Sequence, residues 1–250
     1  MINDIRLSSK NSVLLLDAGG TLFGQWVAQQ SDGQVIVEAM NAMGYDAMTV
    51  GGMDLQEGVD VVLQRAKEAR FAFLSCNIVK VQDDKPLFTP YIVVERNGTR
   101  FGILGVSDPE AVAWPGVYDM AKVIDPAPGV QKYLPEVRRQ SDVVIVLSHI
   151  GLEGDVALAR AVPDIDVIVG GKSRRVLPAP ETAGKTLIVQ AGYDGEWLGR
   201  LDVSFDVTGQ PVDPRVEIIA LGPEVADDPG LAALVASYKQ RFPLPTPASN

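Results

Sequence analysis

Four short apolar runs in this sequence end in residues that can do chemistry. Val13-Leu14-Leu15-Leu16 stops at Asp17 and continues Ala18-Gly19-Gly20-Thr21, and Ala47-Met48-Thr49-Val50 runs into Gly51-Gly52-Met53-Asp54. Val143 to Leu147 stops at Ser148-His149, and Val167-Ile168-Val169 at Gly170-Gly171-Lys172-Ser173-Arg174-Arg175. Such runs read as buried strands, with glycine marking the turn at the end of each. In α/β folds ligands gather at the C-terminal ends of strands, so these tips are expected to share a cleft. They offer two carboxylates (Asp17, Asp54), the only histidine of the chain (His149) and three cations (Lys172, Arg174, Arg175). Carboxylate and imidazole ligate metals or move protons, whereas ammonium and guanidinium groups hold anions.

The elements that must position these groups follow from periodicity. Helical spacing over Gly33–Gly44 stops at a glycine, a C-cap signal. A second helix is read over Leu55–Ala69, with Val59, Val62, Leu63 and Ala66 on one face. Phe71–Ser75 is a third strand. Asn97-Gly98 between Tyr91–Glu95 and Arg100–Val106 predicts a tight hairpin. Helices over Gly129–Arg139 and Leu152–Ala161 flank the Val143 strand, and Pro126–Gly129 reads as the loop before the first of them. Thr186–Gln190, Leu198–Phe205 and Val212–Leu221 read as antiparallel-style strands, and Pro229–Arg241 as a last helix capped by Asp228.

The composition allows one sizeable core: 250 residues, 46% hydrophobic, with few aromatics. The net charge of −10 argues against nucleic acid or an anionic membrane as a partner. No apolar run reaches the ~20 residues of a membrane helix. A soluble chain is expected, cytoplasmic if Met1 is the natural start and otherwise exported after removal of a leader. A lone cysteine, Cys76, sits in a strand-like setting and is expected to pack. Trp26, Trp114 and Trp197 are read as packing or loop cover.

In order and spacing, the four strand ends resemble the signature blocks of the 5′-nucleotidase-type (calcineurin-like) metallophosphoesterases. Leu14-Leu15-Leu16-Asp17-Ala18-Gly19, Met43–Gly51, Leu74-Ser75-Cys76-Asn77-Ile78 and Asp166–Gly171 all look like that family's text. The resemblance runs from about Val13 to about Phe205. It implies an α/β fold, a four-layer α-β-β-α sandwich with two mixed sheets. The expected organisation is a metallophosphoesterase-like domain over 1–222, a closing helix of the same domain over 223–242 and a disordered tail over 243–250. The family's nucleoside-binding C-terminal domain is expected to be absent.

The resemblance also implies a site holding two divalent metal ions. The family's bridging Asp falls on Gly20, its Asn ligand on Gly52, its catalytic His on Met53, and its two late His on Lys172 and Arg174. Asp54 and His149 keep the family's residue types. The leading Asp-x-His block is absent or reduced to Asp4-Ile5-Arg6. Glycine has no donor, a thioether is too soft for these cations, and lysine or arginine puts positive charge where a cation should sit. The expectation is therefore a vestigial cleft of Asp17, Gly20, Gly52, Met53, Asp54, His149, Lys172 and Arg174, with no catalytic residue and no cofactor. Met53 is expected to fill the vacated space. Lys172, Arg174 and Arg175 are expected to neutralise Asp17 and Asp54, or to bind a small anion such as phosphate.

The function implied is that of a pseudoenzyme, a binding or scaffold protein with a protein partner or a small anion. Two alternatives stand beside it. One is a weak phosphoester hydrolase using a single metal on His149 with Asp54 or Asp17. The other follows from Leu16-Asp17-Ala18-Gly19-Gly20-Thr21-Leu22, which also resembles the nucleophile motif of haloacid-dehalogenase-like hydrolases, with Asp17 attacking and Thr21 assisting.

Overall fold

The structure is a computed structural model that describes residues 1–9, 12–206 and 208–245. In chain order its elements are α1 (Ile2–Ser8), β1 (Leu16–Asp17), α2 (Trp26–Gln30), α3 (Gln34–Met43), β2 (Ala47–Thr49), α4 (Val59–Glu68), β3 (Ala72–Leu74) and β4 (Ile78–Lys80). They continue with β5 (Tyr91–Arg96), β6 (Thr99–Ser107), β7 (Ala121–Val123), α5 (Pro126–Gln140), β8 (Val143–His149), α6 (Leu152–Ala161) and β9 (Val167–Gly170). The last are β10 (Glu181–Ala183), β11 (Thr186–Val189), β12 (Trp197–Phe205), β13 (Pro211–Ala220) and α7 (Pro229–Arg241). Short 3-10 turns cover Gly52–Leu55 and Pro109–Val112.

The strands form a six-stranded mixed sheet in the order β10-β11-β9-β8-β6-β5, a parallel three-stranded sheet β1-β2-β3, and two ribbons, β12-β13 and β4-β7. Period-two alternation builds the layers. Val144 and Val146 of β8 point to one face of the large sheet, where they meet Val130, Leu134 and Val137 of α5 and Leu158 and Ala159 of α6. Val143, Ile145 and Leu147 point to the other face and meet Ala47 and Leu74 of the second sheet. The far side of that second sheet, Met48 and Phe73, packs on Val37 and Met40 of α3 and Val59 and Val62 of α4. This is the expected α-β-β-α layering. At Gly105 of β6 any side chain would overlap the Leu74 backbone, so the two sheets approach closely there.

Local chemistry explains several boundaries. α3 is capped by Gly33 and Gly44, both with positive φ, as the glycine signals require. Asn97 (φ 50°) and Gly98 (φ 81°) make the two-residue turn of the β5–β6 hairpin. The expected Leu55–Ala69 helix is shorter, because Gly58 at φ 96° separates the 3-10 turn from α4. α5 starts three residues earlier than expected: Pro126, read as loop, is a first-turn proline whose missing N–H costs nothing there. The closing helix stands as α7, with Asp228 Oδ1 accepting from the N–H groups of Gly230 and Leu231 at 2.9 and 3.1 Å. Within the expected tail, residues 246–250 lie outside the described residues. No helix among the described residues is long and apolar enough to cross a membrane.

Candidate functional site

The strand tips do converge. Asp17, Gly20, Gly52, Met53, His149, Lys172 and Arg174 all line one long trough, with Asp54 buried beneath them. Arg175 is exposed and does not line it.

Asp54 is fully buried and its carboxylate is occupied by backbone. Oδ2 accepts from Gly20 N and Gly51 N, each at 2.8 Å. Oδ1 accepts from Thr21 N at 2.8 Å and Leu22 N at 2.9 Å. One side chain thus ties the turn after β1 to the turn after β2, satisfying four donors that no strand or helix would otherwise pair. Asp17 serves the same turn from its other end. Its Oδ1 accepts from Gly19 N at 2.8 Å and from Thr21 Oγ1 at 2.6 Å. Burial pushes the Asp17 carboxyl above the ordinary range and the nearby Asp54 charge adds to this, against the lowering effect of those two bonds. Burial and the Asp17 charge likewise push the Tyr45 phenol up.

His149 ends β8 and lies in a cup of glycines. A β-carbon on Gly20 would fall 2.8 Å from its Cε1, one on Gly51 2.6 Å from its Cδ2, and one on Gly171 3.2 Å from its Nδ1. The ring therefore occupies the space into which side chains at these positions would project. Met53, expected to fill that space, is 43% exposed instead. His149 Nδ1 lies 2.8 Å from Ala18 O. A carbonyl only accepts, so Nδ1 carries the proton, and in the neutral ring Nε2 keeps its lone pair.

The cations also differ from expectation. Lys172 reaches Asp108 Oδ1 at 3.2 Å and Glu110 Oε2 at 3.3 Å, not Asp17 or Asp54. The net raised state of its ammonium comes from these carboxylates, which outweigh partial desolvation. Arg174 lies over the Tyr193 ring at 5.2 Å. Asp108 and Glu110, which follow β6, are members of the site that the sequence reading passed over, and Trp114, read there as packing or loop cover, lines it too and donates its Nε1 to Gly52 O at 2.6 Å. The rule applied to the other strands would have found Asp108, because Val106-Ser107-Asp108 is also a strand end.

Asn77 holds this rim in place. Its side-chain nitrogen donates to Ser107 O and Ile124 O at 2.8 and 3.0 Å, and its oxygen accepts from Ser107 N at 2.9 Å.

These residues test the fit of a two-metal centre. Position 20 supplies no carboxylate, the Asp54 oxygens already accept four N–H bonds, and the imidazole stands over the glycines. Among the described residues no group of three or more His, Cys, Asp or Glu side chains converges as a metal site would require. The residues present do not fit the pair of ions.

No family model matches the sequence. Individual relatives do. Protein UshA of Yersinia enterocolitica is 26% identical, over 96% of this chain and 54% of its own length. The human 5′-nucleotidase is 29% identical, over 95% of this chain and 46% of its own. A 5′-nucleotidase precursor from Thermus thermophilus superposes with a TM-score of 0.87 at 29% identity, covering 96% of this chain and 52% of that one. The chain spans about half the length of these relatives. They overturn the expectation that no cofactor is involved: the homologous 5′-nucleotidases are metal-dependent, and a divalent-metal cofactor is what the family implies. By sequence and by fold, the relatives of this chain are 5′-nucleotidases and UshA-like, calcineurin-like phosphoesterases.

Proposed function

We propose that this domain binds rather than hydrolyses: a phosphoesterase-family module that has kept the fold and lost the family's two-metal reaction. One observation carries the reading. The His149 ring fills the cup over Gly20, Gly51 and Gly171, where the family's bridging carboxylate would stand. The neighbouring carboxylate of Asp54 supports it, being fixed by four backbone donors. Removing the bridging ligand removes the group that sets the metal spacing and, with it, the activated water. A protein partner fits the cleft better than a small anion does, because Lys172 is already paired with Asp108 and Glu110.

The test pairs metal analysis with turnover. The purified chain is supplied with manganese, zinc or magnesium and assayed on p-nitrophenyl phosphate, bis-p-nitrophenyl phosphate and AMP. No metal-stimulated hydrolysis is expected with any of them. Turnover that rises with stoichiometric bound metal overturns the proposal and restores the weak-hydrolase reading.

A further inference from the structure

Three consecutive side chains after β9 reach three different parts of the molecule. Lys172 pairs with Asp108 and Glu110, which follow β6. Ser173 Oγ donates to Gln190 Oε1 at 2.8 Å, just past β11, and accepts from the N–H of Leu152, the first residue of α6, at 3.2 Å. Arg174 lies over the Tyr193 ring. The turn that carries them is exposed from Lys172 to Val176, between buried Gly171 and Leu177. Lys172 at φ 66° and Arg174 at φ 55° are both left-handed, a conformation that long side chains disfavour. A turn holding two such residues keeps its shape only through ties to its surroundings.

The first of those ties crosses the site. In the large sheet β8 lies between β9 and β6, with Ser107 opposite His149 and Gly170 opposite Ser148. Gly171 N donates to Ser148 O at 2.7 Å, and the Gly171 backbone lies beside the His149 ring. Lys172 and Asp108 are the next residues outward on the two flanking chains. Their 3.2 Å ion pair therefore passes across the end of β8, the strand that ends in the imidazole. The two ends of the pair differ. Asp108 is 4% exposed and its Oδ1 also accepts from Glu110 N at 2.9 Å, so the acceptor is fixed. Lys172 is 36% exposed and sits on a flexible stem in the strained turn. Ion pairs with one end in water are weak and respond to salt. His149 is only partly exposed and lines the same trough as all three groups.

We propose that residues 172–176 form a strap held shut across the end of β8 by the Lys172 ion pairs, and that loss of those pairs opens the trough to the His149 imidazole. The strap makes access to the imidazole depend on the charge of what approaches. A partner that presents a carboxylate competes with Asp108 and Glu110 for Lys172 and opens the strap, whereas an apolar one meets it closed. The inference stands whether or not the cleft hydrolyses anything.

His149 is the only histidine of the chain, so carbethoxylation by diethyl pyrocarbonate, followed by ultraviolet absorbance on the full 250-residue protein, reads a single site. The reagent is uncharged, and salt acts on the protein rather than on the encounter. Lys172→Met keeps the length of the stem and removes the charge. At about 20 mM sodium chloride its His149 is expected to react about threefold faster than in the parent, or more. At about 1 M, where the screening length is as short as the pair itself, the parent is expected to quicken by a similar factor and Lys172→Met to stay unchanged. Arg175→Met removes an exposed charge outside the trough and is expected to match the parent at both salt concentrations. Should Lys172→Met not fold, the salt response of the parent and the low-salt rate of Glu110→Gln decide. The proposal is overturned by a parent rate indifferent to salt, by equal low-salt rates in the parent and the variant that removes a member of the pair, by an equal salt response in the parent and Lys172→Met, or by Arg175→Met quickening the reaction as much as Lys172→Met does.

Discussion

Replacing Asp54 with asparagine separates a structural carboxylate from a catalytic one. The carboxylate accepts four backbone N–H bonds between 2.8 and 2.9 Å from a fully buried position. Asparagine keeps the shape but turns one acceptor oxygen into an amino group, so two donors lose their partner and face another donor. Each buried donor left unsatisfied costs about 1–3 kcal/mol, and loss of the charge weakens the remaining bonds. The expected loss is about 4 kcal/mol, which for a chain of this size lowers Tm by about 10 °C. The assay is urea and thermal unfolding of parent and Asp54→Asn under identical metal-free conditions. A carboxylate held ready for a cation would behave in the opposite way, since neutralising it relieves strain and leaves stability equal or higher. A variant within about 0.5 kcal/mol of the parent refutes the structural account.

Three further outcomes follow. Gly20→Asp, which puts a carboxylate into the glycine cup, is expected to destabilise the chain by about 2 kcal/mol or more and to bring no metal-dependent turnover. Gly20 has φ +74°, and its new β-carbon would meet His149 at 2.8 Å, a combination that calorimetry and the phosphoester assay both read. Asp155 is fully buried, with one oxygen unpartnered and the other held by Ser148, and burial raises its carboxyl to about 7. The folded state thus binds this proton more tightly than the unfolded chain does. Its contribution is whole below pH ~4 and is lost as pH rises through ~7, by up to about 4 kcal/mol. Asp155→Asn should flatten that slope in unfolding measured from pH 4 to 8, and an unchanged slope would count against the assignment. Cys76 is buried and its thiol is pushed up to about 12, so a disulfide reagent at pH 8 should label it only after denaturant is added.

Where burial is set by local period, the sequence was readable. The bounds of α6 and α7 and the β5–β6 turn agree with what alternation, caps and Asn-Gly imply. So does the convergence of the strand tips, because parallel strands carry their C-terminal ends to one edge. Elements whose order depends on distant partners were not readable. α1 is held by Arg6 donating to Met43 O and Gly44 O at 2.7 and 2.6 Å, and three-residue β4 exists through pairing with β7. The site shows the same divide. Residue types at positions 20, 52, 172 and 174 were plain, but the packing around them was not. Which side chain occupies a given volume depends on three-dimensional reach, and here the imidazole reaches the cup while Met53 turns outward.

The glycine cup also bears on how such a sequence can change. A substitution at position 20, 51 or 171 that adds a side chain collides with the ring or the backbone beside it, so these positions are not free to drift one at a time. Bulk can return there only after residue 149 has shrunk or swung away, and a smaller residue at 149 opens a void until bulk returns. Lineages descending from this protein should therefore vary at these sites in concert, a side chain at any of them being accompanied by a shift of the ring.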